Sequence, residues 1–235
     1  MPVPIGGCAH LPEAQNSGMK NLPNLLRRIL LAAALTLPTI ILAQEATTEP
    51  ATAPAAAPAP PAVVNVLLHT ARGDVRVALE KDRAPKTVAN FLKYVDAKRF
   101  DGITFYRAVK ISEDGQYGLM QAGLRGNPKL VYKAIPHEST KVTGLSHFDG
   151  TISMAMREPG TATADFFFVL GDLTSLDAKP EGTDVGYAAF GRVTEGLPVL
   201  RGMLDLPKSD QAGDGSMKGQ MLAEPVKIIS VRRVD

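Results

Sequence analysis

One cysteine, Cys8, is the only thiol in this chain of 235 residues, and it lies in a leader that the sequence marks for removal. A disulfide, a nucleophilic cysteine and a cysteine-based zinc site are therefore excluded from the mature protein. The chain also lacks an excess of charge. It carries 26 Lys+Arg against 24 Asp+Glu, and setting aside the first 43 residues, with Lys20, Arg27, Arg28 and Glu13, leaves 23 of each sign. Without a basic run or an acidic tail, neither nucleic acid nor a highly charged partner is expected. No apolar run reaches the roughly 20 residues that a spanning helix needs.

Metal and hydrolase signatures are missing as well. Of the four histidines, His10 is in the leader, His69 falls in the first strand, and His137 and His147 sit in loop sequence without partners at metal-ligand spacing. They read as solvated or internally satisfied side chains. His137-Glu138 is not the helical zinc-protease pattern, and no EF-hand surrounds Asp172, Asp177 and Asp184. Ser153, between Ile152 and Met154, lacks the glycine elbow of a hydrolase serine, and there is no phosphate-binding glycine loop. No metal or organic cofactor is expected.

What is present falls into three parts. Met19 opens a more regular segment than residues 1–18, with Lys20, Arg27 and Arg28 ahead of an apolar stretch from Ile29 to Ala43. That order is the pattern of an export signal cleaved after Ala43, which predicts a periplasmic protein, or a secreted one if the organism has one membrane, without stable membrane insertion after processing. Residues 44–62 are almost wholly Ala, Pro, Thr and Glu, a composition that cannot offset the entropy of ordering and predicts an extended tether. A single domain should occupy 63–235.

Within it, Val63 to Thr70 and Val75 to Glu80 alternate as a hairpin. Pro85 followed by Val88, Phe91, Leu92 and Val95 on one face predicts a helix from about Ala84 to Ala97. Further short strands are expected at 103–109, 119–122, 130–133, 151–156, 166–170, 187–193 and 226–234, with a second helix beginning at Pro198. Many short strands with two helices predict a mainly β domain, a closed antiparallel barrel capped by helices.

Several strands carry one polar group in apolar surroundings: Phe105-Tyr106-Arg107, Leu119-Met120-Gln121-Ala122-Gly123, Gly150-Thr151-Ile152-Ser153-Met154-Ala155 and Asp165-Phe166-Phe167-Phe168. Together they suggest an apolar cleft with a guanidinium, a carboxamide and an aromatic floor, suited to a small apolar ring attached to an amide. In this order, with Phe100 to Phe105, Leu176-Asp177 and Tyr187 to Val193, they resemble the cyclophilin family of peptidyl-prolyl isomerases across Val63 to Val234.

The resemblance implies an eight-stranded barrel closed by two helices that isomerises X-Pro segments of unfolded or partly folded exported proteins, with a monomer expected. It places Arg107 at the catalytic arginine, Gln121 at the motif glutamine and Phe167 at the aromatic floor. Leu119, Met120, Ala155, Asp165, Leu176 and Tyr187 would contact substrate, Ala155 through its backbone. Departures are Tyr106 and Tyr187 for common histidines, Gly118 for phenylalanine, Asp165 for glutamine and Ser175 for an aromatic. Tyr117 is expected to fold back in place of the phenylalanine missing at Gly118. These substitutions keep a second class open, a catalytically weak or inactive barrel that binds Pro-containing segments as a chaperone module.

Overall fold

The computed structural model describes residues 62–235. The expected extension, signal segment and cleavage point lie outside the described residues. So does the tether except for Ala62, whose backbone N–H donates to Asp82 Oδ2 at 2.7 Å.

Strands β1 (Val63–Thr70) and β2 (Gly73–Glu80) form the expected hairpin, paired from Val63 opposite Glu80 to Thr70 opposite Gly73. Alternation sends Val66, Leu68, Val75, Val77 and Leu79 inward, where all are fully buried. After β2 comes α1 (Pro85–Asp96), then β3 (Thr104–Lys110), β4 (Gly118–Gly123) and a four-residue turn of helix, α2 (Thr140–Thr143), which periodicity does not reveal. The remainder is β5 (Thr151–Met154), β6 (Phe166–Leu170), β7 (Ala188–Glu195), α3 (Leu197–Leu204) and β8 (Met221–Val234). Every pairing is antiparallel, and the strands close in the order β1-β2-β7-β5-β6-β4-β3-β8.

The two longer helices stop opposite ends of this barrel. Phe91 of α1 packs its ring 5.0 Å from Phe100, 5.2 Å from Phe166 and 5.4 Å from Phe190. From α3, Leu200, Met203 and Leu204 are buried, and Val199 sits over Gly73 at the start of β2. Both helices begin with proline in the first turn, where a missing N–H costs nothing.

Two expectations are corrected. Residues 130–133 are not a strand: Leu130 and Val131 donate back to the Asn127 carbonyl, and the Tyr132 N–H is taken by the Tyr94 hydroxyl at 2.7 Å. The Tyr132 ring then lies 4.8 Å from that of Tyr94, beneath Lys93 and Arg99, so a hydrophobic run serves as a patch on α1. The last strand begins at Met221 rather than Val226. Phe105 faces Val226 while Arg107 faces Met221, so β8 bulges between them, and Pro225, which has no N–H to give a ladder, occupies the bulge.

The start of α1 depends on a distant residue. Its N-cap, Ala84, offers no side-chain acceptor. Instead the buried Glu138 carboxylate accepts from the Lys86 N–H (3.1 Å), the Thr87 N–H (2.7 Å) and the Thr87 hydroxyl (2.7 Å). The two N–H groups would otherwise be orphans of the first helical turn. Glu138→Ala is expected to destabilise the domain by about 1–3 kcal/mol, read as a lower urea midpoint at unchanged m-value; an unaltered midpoint would show that water replaces the carboxylate.

Candidate active site

The ladder between β3 and β4 contains one irregularity that decides where the polar side chains point. Phe105 pairs with Ala122 and Arg107 pairs with Gln121, so Tyr106 is an extra residue on β3. Strict alternation would send Tyr106 and Arg107 to opposite faces. The bulge aims both at Gln121 on the outer face, while Phe105 and Ala108 remain fully buried inside. From Arg107 the register runs sideways to Gln121 on β4, Phe167 on β6 and Ser153 on β5. One row across four neighbouring strands thus holds a guanidinium, a carboxamide, an aromatic ring and a hydroxyl.

Hydrogen bonds fix the polar half of this row. The Gln220 Oε1 accepts from Arg107 Nε (2.8 Å) and Nη2 (2.6 Å), and the Gln121 Oε1 accepts from Arg107 Nη1 (2.8 Å). The Gln121 Nε2 donates to the Tyr106 hydroxyl at 2.7 Å, and that hydroxyl donates to Asp165 Oδ1 at 2.9 Å. The bonds run in one direction along the chain, so neither amide can turn over without breaking two of them. Burial raises the Tyr106 pKa far above its usual value and the Asp165 carboxylate raises it further, so the phenol remains a donor. Burial also lowers the Arg107 pKa from its ordinary value, with Tyr106 and Tyr187 opposing the shift; a guanidinium stays charged regardless. Three of its five N–H groups are engaged, which leaves one on each terminal nitrogen for a ligand.

The apolar half is equally constrained. The Phe167 ring meets Tyr187 at right angles with centroids 5.4 Å apart, and its plane is parallel to the buried His147 imidazole at a centroid separation of 6.2 Å. His147 Nδ1 faces Asp177 Oδ1 at 2.5 Å, and Nε2 faces Ser153 Oγ at 2.9 Å. A carboxylate can only accept, so the proton sits on Nδ1 and the serine hydroxyl donates to Nε2. Leu119, two residues before Gln121 on the same strand, shares its face. Leu176 ends a short 3-10 turn, and its carbonyl accepts the Tyr187 N–H at 2.9 Å. This approach requires Gly186, at φ +62°, because a Cβ there would lie 2.4 Å from the Ala178 nitrogen.

Of the residues expected from sequence, Arg107, Gln121, Phe167 and Leu119 share this outer face, Tyr187 joins through Phe167 and Asp165 through Tyr106. Ala155 lies just beyond β5 with its N–H committed to the Asp165 carbonyl at 2.9 Å, so its backbone could offer a ligand only the carbonyl. Met120 is a correction: lying between Leu119 and Gln121 it points the other way and is fully buried in the barrel interior. Tyr117 lies against Gly171 and is 40% exposed. Position 118 needs no replacement ring from it, since a Cβ there would press on Val109 and Leu204 rather than line the outer face. Gln220, and His147 with Asp177, were not foreseen. Gln220 lies in a polar loop without a motif, and the other two meet Ser153 only through folding.

Burial depresses the His147 pKa and Asp177 opposes this only in part. A histidine whose folded pKa lies below its unfolded value binds fewer protons when folded, so its contribution is complete above the ordinary value of 6.5, declines as pH falls from there toward the depressed folded value, and levels off below it. Stability should therefore fall below pH 6.5 with a slope of at most about 1.4 kcal/mol per pH unit from this group. Asp101, whose pKa is held down by hydrogen bonds from Arg232, gives way only at lower pH. Urea midpoints between pH 4.5 and 8 should show the decline in the parent and a flatter profile in His147→Phe; equal profiles would remove His147 as its source.

Against known proteins, the profile described as cyclophilin type peptidyl-prolyl cis-trans isomerase/CLD matches residues 65–233. A peptidyl-prolyl cis-trans isomerase of Acinetobacter baylyi is 31% identical over 168 residues, covering 71% of this chain and 84% of that one. Peptidyl-prolyl cis-trans isomerase A of Dickeya dadantii is 35% identical over 162 residues, covering 68% and 80%. The crystal structure of a cyclophilin type peptidyl-prolyl cis-trans isomerase from Cryptosporidium parvum superimposes with a TM-score of 0.58 over 74% of this chain and 99% of its own, at 21% identity.

Proposed function

The chain belongs to the cyclophilin-type peptidyl-prolyl cis-trans isomerase family, and on that premise we propose that its outer cleft accelerates rotation about X-Pro peptide bonds through Arg107. The observation that carries this reading is the guanidinium held by Gln220 and Gln121 with two N–H groups to spare, beside an aromatic floor.

Rotation is opposed by about 18–20 kcal/mol of amide resonance. As the bond twists, the prolyl nitrogen regains its lone pair, and a fixed donor there favours the twisted form over the planar one. An arginine needs no activation by pH and presents its donors in a rigid plane. Gln220 and Gln121 hold that plane in advance, so little reorganisation accompanies the reaction. Phe167, Leu119, Leu176 and Tyr187 would confine the pyrrolidine ring while the residue before it swings, and the Ala155 carbonyl is available to the substrate backbone. Neither a metal nor an organic cofactor is required. Met120 acts in the barrel core and Asp165 acts through Tyr106.

The finer assignments belong to the same proposal. Residues 1–43 serve as extension and export signal and 44–62 as tether, and the domain from 63 works as a monomer in the periplasm, assisting exported proteins. Among the described residues no helix is long and apolar enough to cross a membrane. N-terminal sequencing of the mature protein should begin at Gln44, and sedimentation should give the mass of one chain.

Arg107→Ala is expected to lower kcat/KM for an Ala-Pro peptide roughly 10²-fold with little change in melting temperature, and Gln220→Ala to lower kcat more than it raises KM. Phe167→Ala should cost about 3–5 kcal/mol in stability as well as activity. Exchange spectroscopy on the cis and trans resonances of the peptide measures all three; near-normal turnover in Arg107→Ala would overturn the mechanism.

A further inference from the structure

The line Ser153–His147–Asp177, fully buried at its first two members, has no part in the rotation described above, yet Ser153 pairs with Phe167 of the cleft floor across the β5–β6 ladder. Its order of donors, hydroxyl to Nε2 and Nδ1–H to carboxylate, is that of an acyl-transfer relay. Accessibility rules that chemistry out, because Ser153 and His147 are both fully buried and no acyl group can reach the hydroxyl. The imidazole does lie parallel to the Phe167 ring to within 10°, with the two centroids 6.2 Å apart.

Both edges of the imidazole are pinned, Nε2 by β5 and Nδ1 by the turn that follows Leu176. Asp177 Oδ1 also accepts the His147 backbone N–H at 3.0 Å, its Oδ2 accepts the Ser146 hydroxyl, and the His147 carbonyl accepts the Leu173 N–H at 2.8 Å. The segment carrying Leu176 is thereby fastened to the residue whose ring runs parallel to Phe167. A second tie returns from Leu176 to Tyr187 through the backbone, and the Tyr187 ring packs at right angles to Phe167. A phenylalanine in place of His147 would fill the space but could turn about its own axis, since neither edge would be held.

We propose that His147 and Asp177 are positioning residues for the cleft: together they lock the Phe167 ring and set its spacing from Leu176, which determines how tightly a prolyl ring is gripped. The proposal rests on reading the cleft as the prolyl pocket. It assigns these two side chains to ground-state and transition-state binding alike, so their loss should appear mainly in KM.

The test uses the full chain labelled with 13C in its phenylalanine rings, with the Phe167 resonances assigned through Phe167→Leu. Asp177→Ala should shift or exchange-broaden those resonances and raise KM for an Ala-Pro peptide roughly tenfold, with a smaller fall in kcat. Asp177→Asn keeps an acceptor for Nδ1–H and should restore most of both. His147→Phe, which preserves volume, should reproduce the broadening and serves if Asp177→Ala does not fold. As a control, His69→Phe removes the exposed pair with Asp74 on the β1–β2 hairpin and should leave Phe167 unmoved. Unmoved Phe167 resonances in Asp177→Ala and His147→Phe, or an Asn variant no better than Ala, would overturn the clamp. Absence of turnover in the parent chain would instead remove the isomerase reading, and the Phe167 resonances would still decide whether the clamp exists.

Discussion

A single extra residue in β3 governs the chemistry of this surface. With Tyr106 inserted opposite Gln121, two consecutive side chains leave the barrel on the same side, and the apolar alternation resumes at Ala108 without loss of core. A regular strand would have to choose between a buried Arg107 and a buried substitute for Phe105, and an unpaired charge inside the barrel would cost several kcal/mol. The bulge removes that conflict. It also brings a phenol and a guanidinium within reach of one carboxamide, which no regular pairing would do.

The carboxamide then transmits order in both directions. Gln121 can satisfy Arg107 with its oxygen and Tyr106 with its nitrogen only in one orientation, and the Asp165 carboxylate, which also accepts the Arg125 N–H at 3.0 Å, determines that orientation from the far end. A histidine in place of Tyr106 would offer a ring nitrogen that can be either donor or acceptor, and the tyrosine here, its pKa raised by burial, removes that ambiguity. Asp165 therefore reaches the site through Tyr106.

How much of this could be read from the sequence varies with the range of the interaction. The hairpin at 63–80, α1 and the strand of β6 follow from periodicity that is local, and the ordered motifs single out Arg107, Leu119, Gln121 and Phe167 because each sits in a short apolar strand. Met120 and Leu119 are neighbours in the same motif, and only the pleat tells which of them faces out. Gln220 gives no hint because its role arises from the β8 bulge. Glu138 acts on α1 from some fifty residues away, and His147 meets Ser153 and Asp177 from three separate segments, so no spacing rule contains them. The apolar run at 130–133 has strand composition, but its N–H groups are claimed by Asn127 and Tyr94 before a ladder can form.

Strand β8 has two clients. Its first residues pair with β3, beside Arg107, and its later ones with β1, so one segment of fourteen residues supplies both seams of the closed sheet. Take it away and two strand edges are left open at once, a template for pairing with other chains. Residues 65 and 234 must meet for closure, which makes the slowest contact in the fold one that spans nearly the whole domain. The consequence is an all-or-none molecule: a shortened chain would not be a smaller version of this barrel with its cleft intact but an open, adhesive sheet, and the row from Arg107 to Ser153 would be assembled only when the C-terminal strand has arrived.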